Sequence, residues 1–282
     1  MKRLAATVLT VGLLFMAGAG PLSSQSSSRV PESYLGFDRN DYPGDDALII
    51  LRHHFAFAGY WLNNPPGATH NSWSGTREVV QQLGFGFLVA FNGRTFSQIR
   101  AAGDAARLGT SDGAAAAEAA RREGFPANTI IFLDQEEGGR LLAEQRVYLH
   151  AWADAVQSAG FKAGVYCSGI ASREGSGVTV VTAEDIREHA GGRTLAYWVS
   201  NDSCPPSPGC AFPHVPPNPG ASGVAFAEVW QFAQSPRRAK FARRCGVPYN
   251  KDGNCYPPGG EAKRLHVDVN VALSADPSRG RR

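Results

Sequence analysis

The run Thr129–Leu133 is hydrophobic without any alternation of apolar and polar positions. Pro126 precedes it and Gly138 and Gly139 follow it closely, so the run has the length of a strand rather than of a helix. A strand that is apolar on both faces is typical of a parallel sheet with helices on each side. The chain is therefore expected to adopt an α/β fold built on a parallel sheet.

Similar runs recur along the chain and alternate with helical patterns, which indicates repeated β/α units. Eight strands in about 250 residues favour a single (β/α)8 TIM-like barrel, whose last units could be irregular. The predicted strands are Tyr34–Asp38, Phe55–Trp61, Gly86–Phe91, Thr129–Asp134, Ala163–Cys167, Leu195–Ser200, Ala225–Phe232 and His266–Val271. The clearest helices are predicted at Ser111–Glu123, capped by Ser111 or Asp112, and at Arg140–Ala159, which ends before Gly160.

The first residues have the order of a secretory signal peptide, with Lys2 and Arg3 before an apolar segment and then small residues. We predict a signal peptide at 1–19, a disordered leader at 20–32, the barrel at 33–275 and a disordered tail at 276–282. The apolar segment is shorter than the roughly 20 residues of a membrane span. We expect a secreted or periplasmic protein with no membrane association after cleavage.

The formal net charge of +3 is small for a chain of 282 residues. A nucleic-acid-binding protein usually carries a strong basic excess, so no nucleic-acid partner is expected. The local basic run at 237–244 is interpreted as a solvated surface.

Five cysteines fit an exported protein, because disulfides persist outside the cytoplasm. Two loops each contain a cysteine pair, and we predict the local disulfides Cys204–Cys210 and Cys245–Cys255, with Cys167 as a buried free thiol. A zinc site is the competing interpretation, but the spacing matches no zinc pattern, so we expect no metal and no cofactor.

Two acids follow the buried strand at 129–133, and they suggest the chemistry. Side chains of a strand alternate, so Asp134 and Glu136 should point the same way and Glu137 the opposite way. Two adjacent carboxylates raise the pKa of one of them, as a general acid near neutral pH requires. The alternative is that these acids cap the next helix or pair with Arg140.

Polar and aromatic side chains cluster at the predicted strand ends, which meet at one face of a β/α barrel. Aromatic rings stack on sugar rings while amides and carboxylates bind hydroxyl groups, so the mixture predicts a carbohydrate cleft. The supporting carboxylates are Asp38 and Asp268, and the predicted substrate-binding residues are Trp61, Tyr166, Trp198, Asn201, Trp230 and Gln231.

Six short motifs on these strands resemble, in order, the Chalaropsis-type lysozymes, which are secreted β/α-barrel muramidases. They are Gly36-Phe37-Asp38, Leu133-Asp134-Gln135-Glu136, Gly164-Val165-Tyr166, Tyr197-Trp198-Val199, Val229-Trp230-Gln231-Phe232 and Val267-Asp268-Val269-Asn270. The segments 36–44 and 60–67 are more closely similar to the bacterial glycoside hydrolase-like domain of unknown function, a relative of those lysozymes. The resemblance extends from about Tyr34 to Leu273.

This resemblance implies roles for the four acids. Glu136 would be the general acid, and Asp134 would remain ionised and stabilise the positively charged intermediate. Asp38 and Asp268 would orient the sugar or tune the pair. The chain departs from the lysozymes at Arg39-Asn40, where they have a small residue and a serine, and at Ala90-Phe91-Asn92, where they have Tyr-His-Phe. The substrate can therefore differ from theirs.

Two functions remain open. The sequence favours a monomeric glycosidase acting on a polysaccharide or peptidoglycan substrate by general acid catalysis. The alternative is a glycan-binding barrel that has lost turnover. A metal-dependent deacetylase would need a histidine pair near an acid of the cleft, and the scattered histidines do not offer one.

Overall fold

The computed structural model describes Met1, residues 33–175, 177–238, Lys240, 245–246 and 249–281. The predicted leader, and the signal peptide apart from Met1, lie outside the described residues. The described residues from 33 onward belong to one compact unit.

The strands are β1 Tyr34–Asp38, β2 Phe57–Trp61, β3 Gly86–Asn92, β4 Ile130–Asp134, β5 Lys162–Ser168, β6 Ser172–Arg173, β7 Thr179–Val180, β8 Ala196–Ser200, β9 Val229–Ala233 and β10 Asp268–Ala272. The α-helices are α1 Asp45–Arg52, α2 Arg77–Gln82, α3 Phe96–Ala102, α4 Ala105–Arg122, α5 Ala143–Ser158 and α6 Thr182–Glu188. Two 3₁₀ helices lie at Pro219–Ser222 and Glu261–Lys263. All strands except β6 and β7 close into a barrel in the order β1, β10, β9, β8, β5, β4, β3, β2. The predicted α/β barrel is confirmed, and each predicted strand matches one of its members.

The direction of β10 differs from a regular (β/α)8 barrel. β10 pairs antiparallel with β1 and β9, whereas the other neighbouring pairs are parallel. We call the end at which the parallel strands finish the mouth and the opposite end the floor. β9 ends at the mouth and β10 begins there. The chain between these two strands therefore does not have to cross to the floor, as it would before a parallel strand.

Residues 276–281 pack against the floor, although the sequence suggested a disordered tail. Ser278 is fully buried. Its N–H donates to the Phe87 carbonyl at 2.8 Å, its hydroxyl accepts the Val89 N–H at 2.8 Å, and its carbonyl accepts the Ile130 N–H at 2.8 Å. The polar composition of the tail was misleading, because its polar groups satisfy backbone groups at the start of β3 and β4.

The helix α4 starts earlier than predicted. Asp104 is its N-cap and accepts the Arg107 N–H at 2.9 Å, so the predicted cap at Ser111 or Asp112 is wrong. Asp112 lies inside the helix, where its carboxylate accepts from Arg94 at 2.7 and 2.9 Å and from the Tyr148 hydroxyl at 2.9 Å. These partners explain why an acid is tolerated in the middle of a buried helix face.

The predicted disulfide pairs are wrong, although the cysteines involved are correct. Cys204 pairs with Cys245 and Cys210 pairs with Cys255, while Cys167 is free and buried as predicted. β8 and β9 are adjacent, so the segments that follow them lie side by side at the mouth and are joined to each other. Such cross-links fit a protein that works outside the cytoplasm.

Candidate active site

The acid pair after β4 lies at the mouth. Asp134 ends β4, and Asp134 and Glu136 both line a cavity of about 350 Å³. Glu137 lies elsewhere, and its carboxylate accepts the Phe96 N–H at 2.8 Å and the Gln145 side chain at 2.6 Å. Side chains therefore continue to alternate just beyond the end of β4. Asp134 and Glu136 face the cavity, whereas Glu137 points away from it and connects α3 to α5.

The structural alternatives for this pair are not observed. The N-cap of α5 is Leu142 rather than either acid. Arg140 contacts Glu174 at 3.3 Å and Asp185 at 3.3 Å. Neither helix capping nor pairing with Arg140 therefore accounts for Asp134 and Glu136.

Asp38 and Asp268 lie side by side at the mouth. Asp38 is the last residue of β1, Asp268 is the first residue of β10, and the two are register partners. Both line the same cavity as Asp134. Asp268 reaches the mouth because β10 is reversed, since the first residue of a parallel strand would lie at the floor.

Gln231 of β9 connects these acids to the aromatic wall. Its amide nitrogen donates to Asp38 at 2.9 Å and to Asp268 at 3.3 Å. Its amide oxygen accepts the Tyr166 hydroxyl at 2.7 Å. One buried amide thus positions two acids and a tyrosine. Its nitrogen can only donate and its oxygen can only accept, so the hydrogen bonds at both ends fix its orientation.

Asn270 is a site residue that sequence reasoning missed. Its amide nitrogen donates to Asp38 at 2.6 Å, and its oxygen accepts the Trp198 indole N–H at 2.8 Å. Asn270 lies two residues after Asp268, and the period of a strand could have placed both on one face. Other residues of the cavity wall that were not predicted are Arg39, Asn40, Asp41, Pro66, Gln234, Ser235, His266 and Val267.

The carboxylate of Asp134 has no hydrogen-bond partner among the residues that the structure describes. Its side chain is buried. Burial raises its pKa well above the usual range, and the charges of Glu136 and Asp38 raise it further. Burial therefore favours the neutral form of Asp134, which opposes the expectation that this carboxylate stays ionised.

The other two buried acids are also shifted, but they have partners. Burial raises the pKa of Asp38 to about 6, against the opposing effect of the hydrogen bonds from Asn270 and Gln231. The pKa of Asp268 is raised well above its usual range by burial and by the charge of Asp38, although the Ser235 N–H donates to it at 2.6 Å. Burial thus raises the pKa of all three buried carboxyl groups of the cavity, although two of them have hydrogen-bond donors.

The predicted aromatic and amide residues divide into two groups. Trp61, Tyr166 and Trp198 line the cavity. Trp230 does not, because it is buried outside the cavity and its indole N–H donates to the Asn201 carbonyl at 2.9 Å. Asn201 is also structural, since its side chain donates to the Ser222 carbonyl at 2.8 Å. Trp230 neighbours Gln231 in a strand and must therefore face the opposite side.

No metal site is visible in the part of the chain that the structure describes, where no three His, Cys, Asp or Glu side chains could hold an ion together. In the same residues, no helix combines the length and the apolar character that a membrane span requires.

A family model described as Rv2525c-like, glycoside hydrolase-like domain, matches residues 65–206. The Tat-secreted protein Rv2525c of Mycobacterium tuberculosis has a similar structure, with 16% identity over 89% of this chain and 98% of that chain and a TM-score of 0.50. An uncharacterized protein of B. stearothermophilus is 19% identical over 84% of this chain and 95% of that chain, with a TM-score of 0.49.

A family 25 glycosyl hydrolase from Bacillus anthracis is 12% identical over 85% of this chain and 88% of that chain, with a TM-score of 0.43. No functionally curated protein matches the chain. At such identities, the likeness to Rv2525c concerns the fold alone.

Proposed function

Because the chain belongs to the Rv2525c-like glycoside hydrolase-like domain family, we propose that it binds an amino-sugar polymer of the cell wall at the mouth and cleaves it by general acid catalysis. The observation that carries this proposal is the buried Asp134, which has no partner and lies in one cavity with Glu136. A buried acid without a partner costs stability, and such a cost is typical of sites that await a ligand.

The walls of the cavity suit a sugar. Trp61, Trp198 and Tyr166 supply apolar surface against which a pyranose ring can pack. Gln231 and Gln234 add amide groups that can bind hydroxyl groups. This combination of aromatic surface and fixed polar groups is typical of carbohydrate sites.

Asp134 is the partner for the 2-acetamido group. The amide N–H of that group would give Asp134 the donor that the protein does not supply. As the glycosidic bond breaks, positive charge develops on the substrate, and an ionised Asp134 then stabilises it. Substrate assistance of this kind needs no carboxylate at the anomeric carbon.

Glu136 delivers the proton. We place one proton on the Asp134–Glu136 pair, as for coupled carboxyl groups in general. Burial favours the neutral form of Asp134, and a substrate N–H that donates to Asp134 favours its ionised form. Glu136 is the exposed member of the pair and therefore the one that can reach a leaving-group oxygen.

The test compares Glu136→Gln and Asp134→Asn with the unmodified protein on cell-wall glycan and on chitin-type polymer. General acid catalysis contributes about 10² to 10⁴ in rate, so both variants should lose most turnover while Glu136→Gln still binds glycan. The matched control is Glu144→Gln, because Glu144 is exposed in the first turn of α5. Release of reducing ends measures the rates.

Equal rates for Glu136→Gln and the unmodified protein would refute the mechanism. Binding without hydrolysis by the unmodified protein on both polymers would instead support the glycan-binding barrel.

A further inference from the structure

The short segment that carries Glu136 is attached to the barrel on both sides of this residue. On the side of β4, the N–H of the buried Gln135 donates to the Tyr166 carbonyl at 2.9 Å. On the other side, the Gly139 N–H donates to the Thr182 hydroxyl at 2.8 Å. Glu136 itself is exposed at the mouth. The position of its carboxylate therefore depends on the backbone between these two attachments.

Two glycines leave the backbone after Glu137 with few steric restrictions. Gly138 and Gly139 follow each other, and Gly139 has a φ of +94°. Glycine has access to more backbone conformations than any other residue. A contact made before the glycines, next to Glu136, therefore restricts the backbone of Glu136 more directly than the attachment at Gly139.

The side chain of Glu137 makes such a contact. Its Oε2 accepts the Phe96 N–H at 2.8 Å and the side-chain N–H of Gln145 at 2.6 Å. Phe96 is the first residue of α3, and Gln145 is the third residue of α5. Gln145 is itself held, because its side-chain oxygen accepts the Leu142 N–H at 2.9 Å. Hydrogen bonds to a carboxylate are stronger than those between neutral groups, so two helices fix this residue.

The same contact connects the acid to a wall of the mouth. Thr95 and Gln98, on either side of Phe96, line a cavity of about 540 Å³ together with Glu136. The side-chain oxygen of Gln98 accepts the Thr95 N–H at 2.9 Å, which makes this end of α3 a defined turn. Glu137 therefore sets the separation between Glu136 and the start of α3.

We propose that Glu137 is a positioning residue for Glu136: its carboxylate, held by α3 and α5, keeps the backbone of Glu136 in place so that the Glu136 side chain stays beside Asp134 at the mouth. The catalytic consequence rests on the proposed function. A general acid must come within hydrogen-bond distance of the atom that it protonates, and a displacement of about 1 Å can cost about 10² in rate.

The first test measures the position of Glu136 without any turnover. The charge of Glu136 is one cause of the raised pKa of Asp134. In Glu137→Ala we expect Glu136 to move away from Asp134, so the pKa of Asp134 should fall by about 0.5–1. Glu137→Gln should restore the original value, because its amide oxygen can still accept both hydrogen bonds. Carboxyl-carbon NMR titration measures the pKa.

The second test measures hydrolysis of cell-wall glycan. Glu137→Ala should lower kcat by about 10- to 100-fold and leave KM nearly unchanged, because Glu137 does not contact the substrate. Glu137→Gln should recover most of the rate. The matched control is Asp154→Ala, which removes another carboxylate from α5 that accepts two hydrogen bonds, both at 2.7 Å, from Arg193. This control should change neither kcat nor the pKa of Asp134.

Gln145→Ala removes one of the two donors and provides a second variant should Glu137→Ala unfold. It should lower the pKa of Asp134 and kcat in the same direction by a smaller amount. An unchanged pKa of Asp134 in Glu137→Ala, or an equal change in Asp154→Ala, would overturn the proposal whether or not the unmodified protein has turnover. A lowered pKa together with absent turnover in the unmodified protein would refute the proposed function alone.

Discussion

The two ends of the barrel treat buried polar groups in opposite ways. At the floor, three backbone or hydroxyl groups of Ser278 meet partners on β3 and β4. At the mouth, both carboxylate oxygens of Asp134 lack a partner although the side chain is buried. The hydrogen bonds at the floor therefore stabilise the fold. The carboxylate at the mouth destabilises it and can bind a ligand instead.

Burial alone does not cause this difference. Asp185 on α6 is as buried as Asp134. It accepts from Arg146 at 3.0 Å, from Arg140 at 3.3 Å and from the Leu141 N–H at 3.0 Å. The chain can thus supply partners to a buried acid, and it does not do so for Asp134.

The largest expected effect on stability lies at the floor. Replacing Asp276 and Ser278 by alanine leaves the buried N–H groups of Phe87 and Val89 without acceptors. Each such group costs about 1–3 kcal/mol, so the free energy of unfolding should fall by roughly 2–6 kcal/mol while glycan binding by the folded protein is unchanged. Urea denaturation measures the loss, and Ser158→Ala, at the exposed last residue of α5, is the control. A stability equal to that of the unmodified protein would break the contrast between the two ends.

A smaller effect of opposite sign is expected at the mouth. The pKa of Asp134 is raised in the folded state, so the unmodified protein loses stability as the pH rises from the unfolded value near 4 toward the folded one. Asparagine does not titrate, so Asp134→Asn should be more stable by roughly 1–3 kcal/mol at pH 7, with little difference at pH 4. Urea denaturation at both pH values tests this. A variant less stable than the unmodified protein at pH 7 would show that Asp134 has a stabilising partner.

The smallest expected effect is on the pKa of Asp38. Asn270→Ala removes one of its two amide donors, which lower the pKa of Asp38 against the effect of burial. The pKa should rise above its value of about 6, at a cost of about 1 kcal/mol to the ionised form. Carboxyl-carbon NMR titration measures the shift. Asn40→Ala is the control, since Asn40 lines the cavity but donates to the Pro66 carbonyl, and equal pKa values in both variants would contradict the assignment.

The sequence predicted what depends on local pattern. Unbroken apolar runs located the barrel strands, and the acids after β1 and β4 were expected at one face because the ends of parallel strands converge. The period of a strand also separated Asp134 and Glu136 from Glu137. Applied more strictly, the same period would have excluded Trp230 from the cavity wall.

Features that depend on distant partners could not be predicted. The direction of β10 depends on its pairing with β9 and β1, and nothing in the residues of β10 themselves indicates it. The cysteine pairs follow from the adjacency of β8 and β9 in space. The raised pKa of Asp134 reflects its burial and the charges of Glu136 and Asp38. Burial and the approach of Asp38 depend on residues that are distant in the chain.

The closure of the barrel has a consequence for the order in which the molecule can form during synthesis. β1 pairs with β10, close to the other end of the chain. β3 completes its backbone hydrogen bonds with residues 276 and 278, which lie 189 residues further along the chain. Partners so far apart are slow to meet, because a long loop must be closed before any contact rewards it. A growing chain therefore keeps an open sheet, with β1 and β9 as unpaired edges, until β10 is available, and such edges favour aggregation.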